Sequence, residues 1–355
     1  MHDDTKKGEP EVAPRLRARV KLKDVAERAG VGIATVDRVL NERGSVSPEV
    51  TRRVIEAARE LRLPRSLPVP YRRGLRLDVI LTRPDTPFFE RVNQAFMRAA
   101  ALLDRSVIVQ RSFVDETEAE RLAERIRATR CQAVVVYGQE NLAVIDAVAT
   151  VTSAGVPVVT IVSDLPTSPR LAYVGINHHS AGRTAAFFMA RMAHHTGSVI
   201  AVGHSFRYRA HADRISGFRD GLADYAPEIA ITDVIEGRDD QGLTERLLSE
   251  ALRRSVNTVG VYNAGGANRA IERSLGQAGL AGKVVFIGHE LTVHTMRMLA
   301  SGVMTVAIDQ NPEEQARRAI DVLLQRFGYG ERLNTLGEVP FTIYGPENLP
   351  RPDLV

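Results

Sequence analysis

The sequence predicts a two-lobed α/β protein built on parallel sheets, with a small all-α domain at its N-terminus. Three observations carry the prediction. At 355 residues the chain is too long for one core and suits one small domain joined to a large or bilobal one. Beyond Gly74, strand-like apolar runs alternate with helical ones, the pattern of parallel sheets with helices on both faces. Residues 1–76 hold 18 Lys plus Arg against 11 Asp plus Glu, a net of +7, whereas the remainder holds 29 against 32, a net of −3. A basic end on a mildly acidic body suggests a polyanion-binding head attached to a part with a different task.

Residues 1–20 are rich in Lys, Arg, Glu, Asp and Pro and contain no apolar h-region. They read as a disordered basic arm, neither signal peptide nor core element, which points to a cytoplasmic protein. Hydrophobic residues make up 44% and charged residues 25% of the chain. No apolar run approaches the length of a bilayer span, so no membrane partner is expected. The one cysteine, Cys131, cannot form an intrachain disulfide; it opens the apolar run 133–136 and reads as a buried thiol.

Residues 21–62 read as three short helices. Leu22, Val25, Ala26 and Ala29 fall three and four residues apart and share one helical face. Gly30 ends that helix, supplying the positive φ favoured at a helix C-terminus and in a tight turn. Val36, Val39 and Leu40 repeat the spacing in a second helix, leaving Ile33, Ala34, Thr35, Asp37, Arg38 and Asn41 for its other faces. Ser47 and Pro48 form an N-cap and first-turn pair for a third helix carrying Val50, Val54, Ile55, Ala58 and Leu61. Two short helices joined by an Ala-Gly-Val turn match the helix-turn-helix unit, whose second helix enters the DNA major groove. A generic three-helix bundle is the plainer alternative.

The strings LKDVAERAGV (22–31), TVDRVLN (35–41) and VSPEVTRRVIEAA (46–58) closely resemble the LacI family of bacterial repressors. The resemblance implies that Ile33, Ala34 and Asp37 face base edges, while Thr35, Arg38 and Asn41 contact phosphate or base edges and position the helix. Two positions depart from the pattern: Gly32 stands where Ser is usual, and Asp37 replaces a small polar residue. A carboxylate facing DNA repels phosphate, so Asp37 is expected to accept from cytosine N4 or to pair with Arg38 or another base, on a non-standard operator. In residues 63–74 the family usually has a hinge helix that inserts an apolar wedge into the minor groove. Here Pro68 and Pro70 lack the amide hydrogens of a helix interior. An extended basic linker is expected instead, with Arg65, Arg72 and Arg73 on phosphate and Tyr71 aligned with the wedge position.

From 75 to 345 the strand-like runs are 77–81, 106–110, 133–137, 157–162, 198–202, 257–261, 283–287 and 303–308, with helices around 89–102, 117–127 and 181–194. Two parallel sheets fit this length, with a ligand cleft between them. DTPFF (85–89), GVPVVTIVSD (155–164), VGIN (174–177), Ala181-Gly182, Arg214 ahead of Gly217-Phe218, IGHE (287–290) and Asp309-Gln310 resemble the periplasmic-sugar-binding-protein fold that LacI-family regulators carry. The resemblance implies three chain crossings, with lobe one at 75–176 plus 311–331 and lobe two at 177–310 plus 332–345. It also implies a ligand wall of Asp85, Phe88, Phe89, Tyr137, Asp164, Asn177, Arg214, Asn263, His289, Glu290 and Gln310. Rings stack on a sugar face while carboxylate, amide and guanidinium groups chelate adjacent hydroxyls, so a sugar, polyol or sugar phosphate is the implied effector. His289 stands where an aromatic is common, and Asn177 where Asp is common.

Plainer readings run alongside. Phe88 and Phe89 could be helix-start core. The pairs His178-His179 and His194-His195 do not present both rings on one helix face and have no cysteines nearby, so no metal site is expected. Gly265-Gly266, following a strand that ends near Tyr262, could cradle a phosphate. No cofactor is expected, and no nucleophile elbow, Walker loop or metal pattern points to an enzyme. A transport receptor would need a signal peptide. The leading expectation is a homodimeric, cytoplasmic, nucleoid-associated repressor whose two heads meet operator DNA under control of a small effector. No heptad repeat follows Pro346, so a coiled-coil tetramer is not expected.

Overall fold

A computed structural model describes residues 20–41, 43, 46–64, 74–82, 86–115, 118–255, 257–329 and 338–350. The arm, the linker residues Arg65, Tyr71, Arg72 and Arg73, and Asp85 lie outside the described residues. The chain divides into two compact units at Gly74 and Leu75.

The first unit is three helices, α1 (Leu22–Ala29), α2 (Ile33–Leu40) and α3 (Pro48–Glu60). Gly30 closes α1 in the left-handed region at φ 65°, a conformation that costs a residue with a Cβ about 1 kcal/mol or more. Ser47 Oγ accepts from Val50 N at 3.4 Å and so caps α3. Val25, Val36, Val54, Ile55 and Ala58 are buried together. That core turns Ile33, Ala34 and Arg38 to the exposed side of α2.

The second unit holds two sheets. The first runs in the order β2 (Val107–Phe113), β1 (Leu75–Leu81), β3 (Ala133–Tyr137), β4 (Val158–Ile161) and β5 (Ala172–Val174). The second runs β11 (Thr342–Tyr344), β10 (Val306–Asp309), β9 (Val285–His289), β8 (Thr258–Asn263), β6 (Ser198–Gly203) and β7 (Ala230–Glu236). Central strands are apolar on both faces because helices cover both. Among these helices are α4 (Pro87–Ala101), α5 (Ala119–Arg127), α6 (Leu142–Ser153), α7 (His178–Met192), α8 (Arg209–Tyr225) and α9 (Gln241–Arg254), followed by α10 (Asn268–Gln277), α11 (Val293–Ala300) and α12 (Pro312–Arg326). Buried polar residues on these strands are held by named partners. Asp78 on β1 is buried, and Arg125 pairs with it at 2.7 and 2.9 Å while Thr129 Oγ1 donates at 2.7 Å.

The sheets are parallel as expected, with one antiparallel pairing at the edge of the second. β11 pairs with β10 in the antiparallel sense, because α12 returns to the first sheet, against α4, β4 and β5, and the chain re-enters the second sheet at its edge. The chain thus passes from the first sheet to the second after β5, back for α12, and over again for β11.

Helices α7 and α8 pack backbone to backbone. A Cβ at Gly182 would meet the Arg214 carbonyl and stand 2.8 Å from Phe218 N; one at Gly217 would meet the His179 carbonyl; one at Gly221 would stand 2.7 Å from Ala186 Cβ. Glycine alone permits that approach. Its consequence is local to the cleft: Arg214 on α8 donates through Nε to His178 Nδ1 on α7 at 3.1 Å.

Candidate functional site

A cavity of about 190 Å³ lies where the C-terminal ends of the strands of both sheets converge, the crevice that parallel sheets leave open. The first lobe contributes Thr86, Pro87, Phe88 and Phe89 from the start of α4, Tyr137 from the end of β3 and Val162 from the end of β4. The second contributes His204 after β6, His211 and Arg214 on α8, Asp239 and Gln241 after β7, Gly265, Gly266, Asn268 and Arg269 around the start of α10, Glu290 after β9, Thr292, His294 and Thr295 around the start of α11, and Gln310 after β10. The first wall is aromatic and the second polar. Ring centroids stand 5.1 Å apart for Phe88–Phe89, 5.1 Å for Phe89–Tyr137 and 4.9 Å for the stacked pair Tyr137–Tyr208.

Arg214 is the centre of the polar wall. It is 2% exposed, and Nη1 donates to the Ala264 carbonyl at 2.8 Å. Since Arg214 Nε donates to His178 Nδ1, the proton of neutral His178 sits on Nε2 and points to the Val162 carbonyl at 2.6 Å. Burial first and the Arg214 charge second push His178 and His289 well below their ordinary value and His211 down to about 3. Glu290 accepts from Gln310 Nε2. Burial, then the neighbouring Asp309, push its carboxyl up to about 8.

Three of the cavity residues sit in the left-handed region without being glycine: Val162 at φ 62°, Asp239 at φ 52° and Glu290 at φ 73°. Each follows a strand. Such strain persists only where the surroundings over-determine it, as they do at Val162. Val162 N donates to Gln315 Oε1 at 3.0 Å, and Val162 O accepts from His178.

Of the expected wall, Phe88, Phe89, Tyr137, Arg214, Glu290 and Gln310 line this cavity. Asp164, Asn177, Asn263 and His289 are not among its lining residues, and each is occupied elsewhere. Asp164 is held by Arg170, Thr160 and Leu165 N; burial alone would raise its pKa, and Arg170, Leu165 N and Thr160 together more than reverse that. Asn177 caps α7, accepting from Ser180 N at 2.8 Å and donating to Glu338 at 3.0 Å. Asn263 stands behind the wall, donating to Asn268 Oδ1 at 2.7 Å and accepting from Gly265 N at 3.0 Å. His289 is fully buried against the Tyr262 hydroxyl at 2.9 Å. The amides of the glycine pair are taken within the chain: Gly265 N donates to Asn263 at 3.0 Å and Gly266 N to Asp239 at 2.7 Å.

Sequence reasoning missed His204, His211, Asp239, Gln241, Asn268, Arg269, Thr292, His294 and Thr295. All lie within a few residues of a strand end or on the helix that follows, which is the signal that would have found them. It also missed Arg91 on α4, which reaches into the second lobe. Arg91 donates to Asp309 at 2.7 and 3.2 Å, to the Leu291 carbonyl at 3.0 Å and to Glu313 at 2.8 and 2.9 Å.

On the head, Asn41 Nδ2 donates to the Asp37 carboxylate at 2.7 Å and to its carbonyl at 3.0 Å. The expectation for Asp37 was a DNA base or Arg38; within the head its partner is Asn41, one helical turn on, the spacing at which side chains meet.

Residues 77–331 match the model of the periplasmic binding protein domain, and residues 21–63 match that of the bacterial regulatory proteins of the lacI family. The chain belongs to the LacI family of bacterial regulatory proteins. It is similar to the HTH-type transcriptional regulator DegA of Bacillus subtilis (strain 168), at 23% identity over 224 residues, which is 62% of this chain and 66% of DegA. The chain thus joins a LacI-family head to a periplasmic binding protein domain. The fold is shared with solved solute-binding proteins. An ABC transporter solute binding protein from Burkholderia graminis C4D1M, in complex with D-arabinose, matches with a TM-score of 0.70 at 21% identity, over 78% of this LacI-family chain and 96% of that one. GanP, a glucose-galactose binding protein from Geobacillus stearothermophilus, matches with a TM-score of 0.71 at 20% identity, over 79% and 100%. A protein from Actinobacillus succinogenes 130z with bound D-allose matches with a TM-score of 0.68 at 19% identity, over 77% and 98%.

Proposed function

We propose that the protein is a repressor that binds operator DNA as a homodimer and changes its affinity when a monosaccharide-sized sugar or polyol occupies the cleft. The observation that carries this reading is the cavity itself: about 190 Å³, the room of roughly six waters, with aromatic rings on one wall and polar groups on the other. Rings take the C–H face of a sugar while the polar wall orders its hydroxyls. The sugars seen in the related solved proteins support the same class.

In this reading Ile33 and Ala34 meet base edges, Thr35 and Arg38 touch phosphate or bases, and Asp37 with Asn41 forms one reading unit. Ile33 is 50% exposed, which suits contact with a thymine methyl. Arg65 and Tyr71 act from the linker, Arg65 on phosphate and Tyr71 at the wedge position. Two heads on two half-sites require a dimer, acting in the cytoplasm where the DNA is. No catalytic step is assigned to the cleft.

The test is selection of binding sites from random duplex DNA by the full chain, followed by sedimentation of the complex. A two-fold symmetric site bound by two chains is the expected outcome. A single asymmetric half-site bound by one chain would remove the dimer from the reading.

A further inference from the structure

The polar wall is not saturated, and the pattern of its open valences describes what fills it. Arg214 uses Nε on His178 and Nη1 on the Ala264 carbonyl, both neutral acceptors. Its Nη2 is buried and has no hydrogen-bond partner among the described residues. Among the described residues the nearest carboxylate oxygen is Glu290 Oε1 at 4.0 Å, the outer limit of an ion pair and beyond hydrogen-bond reach. Glu290 Oε2 and Gln310 Oε1 are likewise buried and without partners. Glu290, Gln310 and Arg214 are all at least nine-tenths buried and line the cavity, so each open atom carries the full penalty of a desolvated group until a ligand arrives.

We propose that the cleft selects an acidic sugar: a monosaccharide-sized polyol whose carboxylate docks on Arg214 Nη2 and whose hydroxyls meet Gln310 Oε1 and Glu290. This rests on the reading that the cleft takes a carbohydrate. A buried guanidinium whose hydrogen bonds go only to neutral acceptors, and whose ion-pair partner Glu290 stands at 4.0 Å, is weakly compensated, and an anionic ligand completes its neutralisation. Three buried histidines, His178, His211 and His289, are each driven toward neutrality by that charge as well as by burial. Among the described lining residues the acids are Asp239 and Glu290. Asp239 is tied to Gly266 N. Burial and Asp309 keep the proton on Glu290, leaving it a donor toward a ligand oxygen. Arg269, exposed and also lining the cavity, adds a second positive group.

Carboxylate fits better than phosphate ester. A phosphate wants several converging donors, yet the amides of Gly265 and Gly266 are taken by Asn263 and Asp239. Arg214 offers one free nitrogen, enough for one carboxylate oxygen.

The test is titration calorimetry of the full chain with matched pairs: D-glucuronate against D-glucose, D-galacturonate against D-galactose, D-gluconate against sorbitol, and D-glucose 6-phosphate as the phosphate arm. At least one acid should bind about 10- to 100-fold more tightly than its neutral partner, the worth of a hydrogen bond to a charged group. Arg214→Gln should bring the two within about twofold; the wild-type comparison decides alone if that variant does not fold. A neutral sugar binding as tightly as its acid, or the phosphate binding more tightly than every carboxylate, overturns the proposal and leaves the carbohydrate reading intact. Binding by no member of the panel overturns both.

Discussion

Gly217 and Gly276 are both helical glycines, and replacing each with alanine should move stability in opposite directions. At Gly276, on α10, an added Cβ meets nothing within 4 Å. Alanine there gains helix propensity and restricts the unfolded chain, a stabilisation of about 0.4–1 kcal/mol. At Gly217, on α8, the same Cβ lands on the His179 carbonyl, 2.8 Å from its carbon and 3.0 Å from His179 Cα. Those atoms are main chain and cannot rotate away, so α7 and α8 must separate by something on the order of an ångström. Overpacking of this kind costs about 1–3 kcal/mol, which exceeds the propensity gain. A net loss of about 1–2 kcal/mol lowers Tm by roughly 2–6 °C in a domain of this size. Differential scanning calorimetry of the two variants beside the parent measures it. If Gly217→Ala melted with or above the parent while Gly276→Ala rose, the close-approach argument would be wrong. Because Arg214 and His178 face each other across the same helix pair, Gly217→Ala should also weaken any cleft ligand.

Three further outcomes follow from named contacts. Arg91→Met leaves Asp309, fully buried, with the amides of Leu291 and Asn311 as its donors among the described residues; urea unfolding should register a loss of roughly 3–5 kcal/mol, and a loss under about 1 would mean the tie contributes little. Stability should peak near pH 6.5. His178, His211 and His289 are neutral when folded, so below an ordinary value of 6.5 only the unfolded chain takes up their protons, and their contribution fades as pH falls, for His211 toward about 3. Glu290 has the opposite sign: full contribution below 4.5, lost as pH rises through about 8. Melting temperatures that climb steadily from pH 5 to 8 would contradict this. Asp37→Asn keeps an oxygen for Asn41 and removes a negative charge from the reading helix, so anisotropy on random-sequence DNA should show affinity rising a few-fold; unchanged affinity would remove Asp37 from the interface.

The sequence was most legible where the physics is local. Ser47-Pro48, Gly30 and the spacing of Val25, Val36 and Val39 mark the head because caps and helical faces are short-range properties. The apolar runs of β1, β3, β4, β6, β8 and β9 were legible because strands buried on both faces admit little else. β7 was not, since an edge strand alternates and its run AITDVIE carries two acids; with it went Asp239 and Gln241. Asp164, Asn177 and Asn263 have residue types that suit a sugar, but their oxygens and nitrogens are committed to Arg170, a helix cap and Asn268, and residue type alone does not reveal who else is within 3 Å. Arg91 and Asp309 lie 218 positions apart, a pairing that only the crossing of the chain between lobes creates.

The central claim is that occupancy of the cleft controls the head. The most direct measurement is anisotropy of the full chain on its own selected operator, titrated with the tightest cleft ligand, beside Arg214→Gln. The account predicts that the ligand shifts operator affinity at least about tenfold, a coupling of about 1.4 kcal/mol, and that the shift is lost in Arg214→Gln while DNA binding without ligand is retained. Operator affinity that does not change when the cleft is saturated would contradict it.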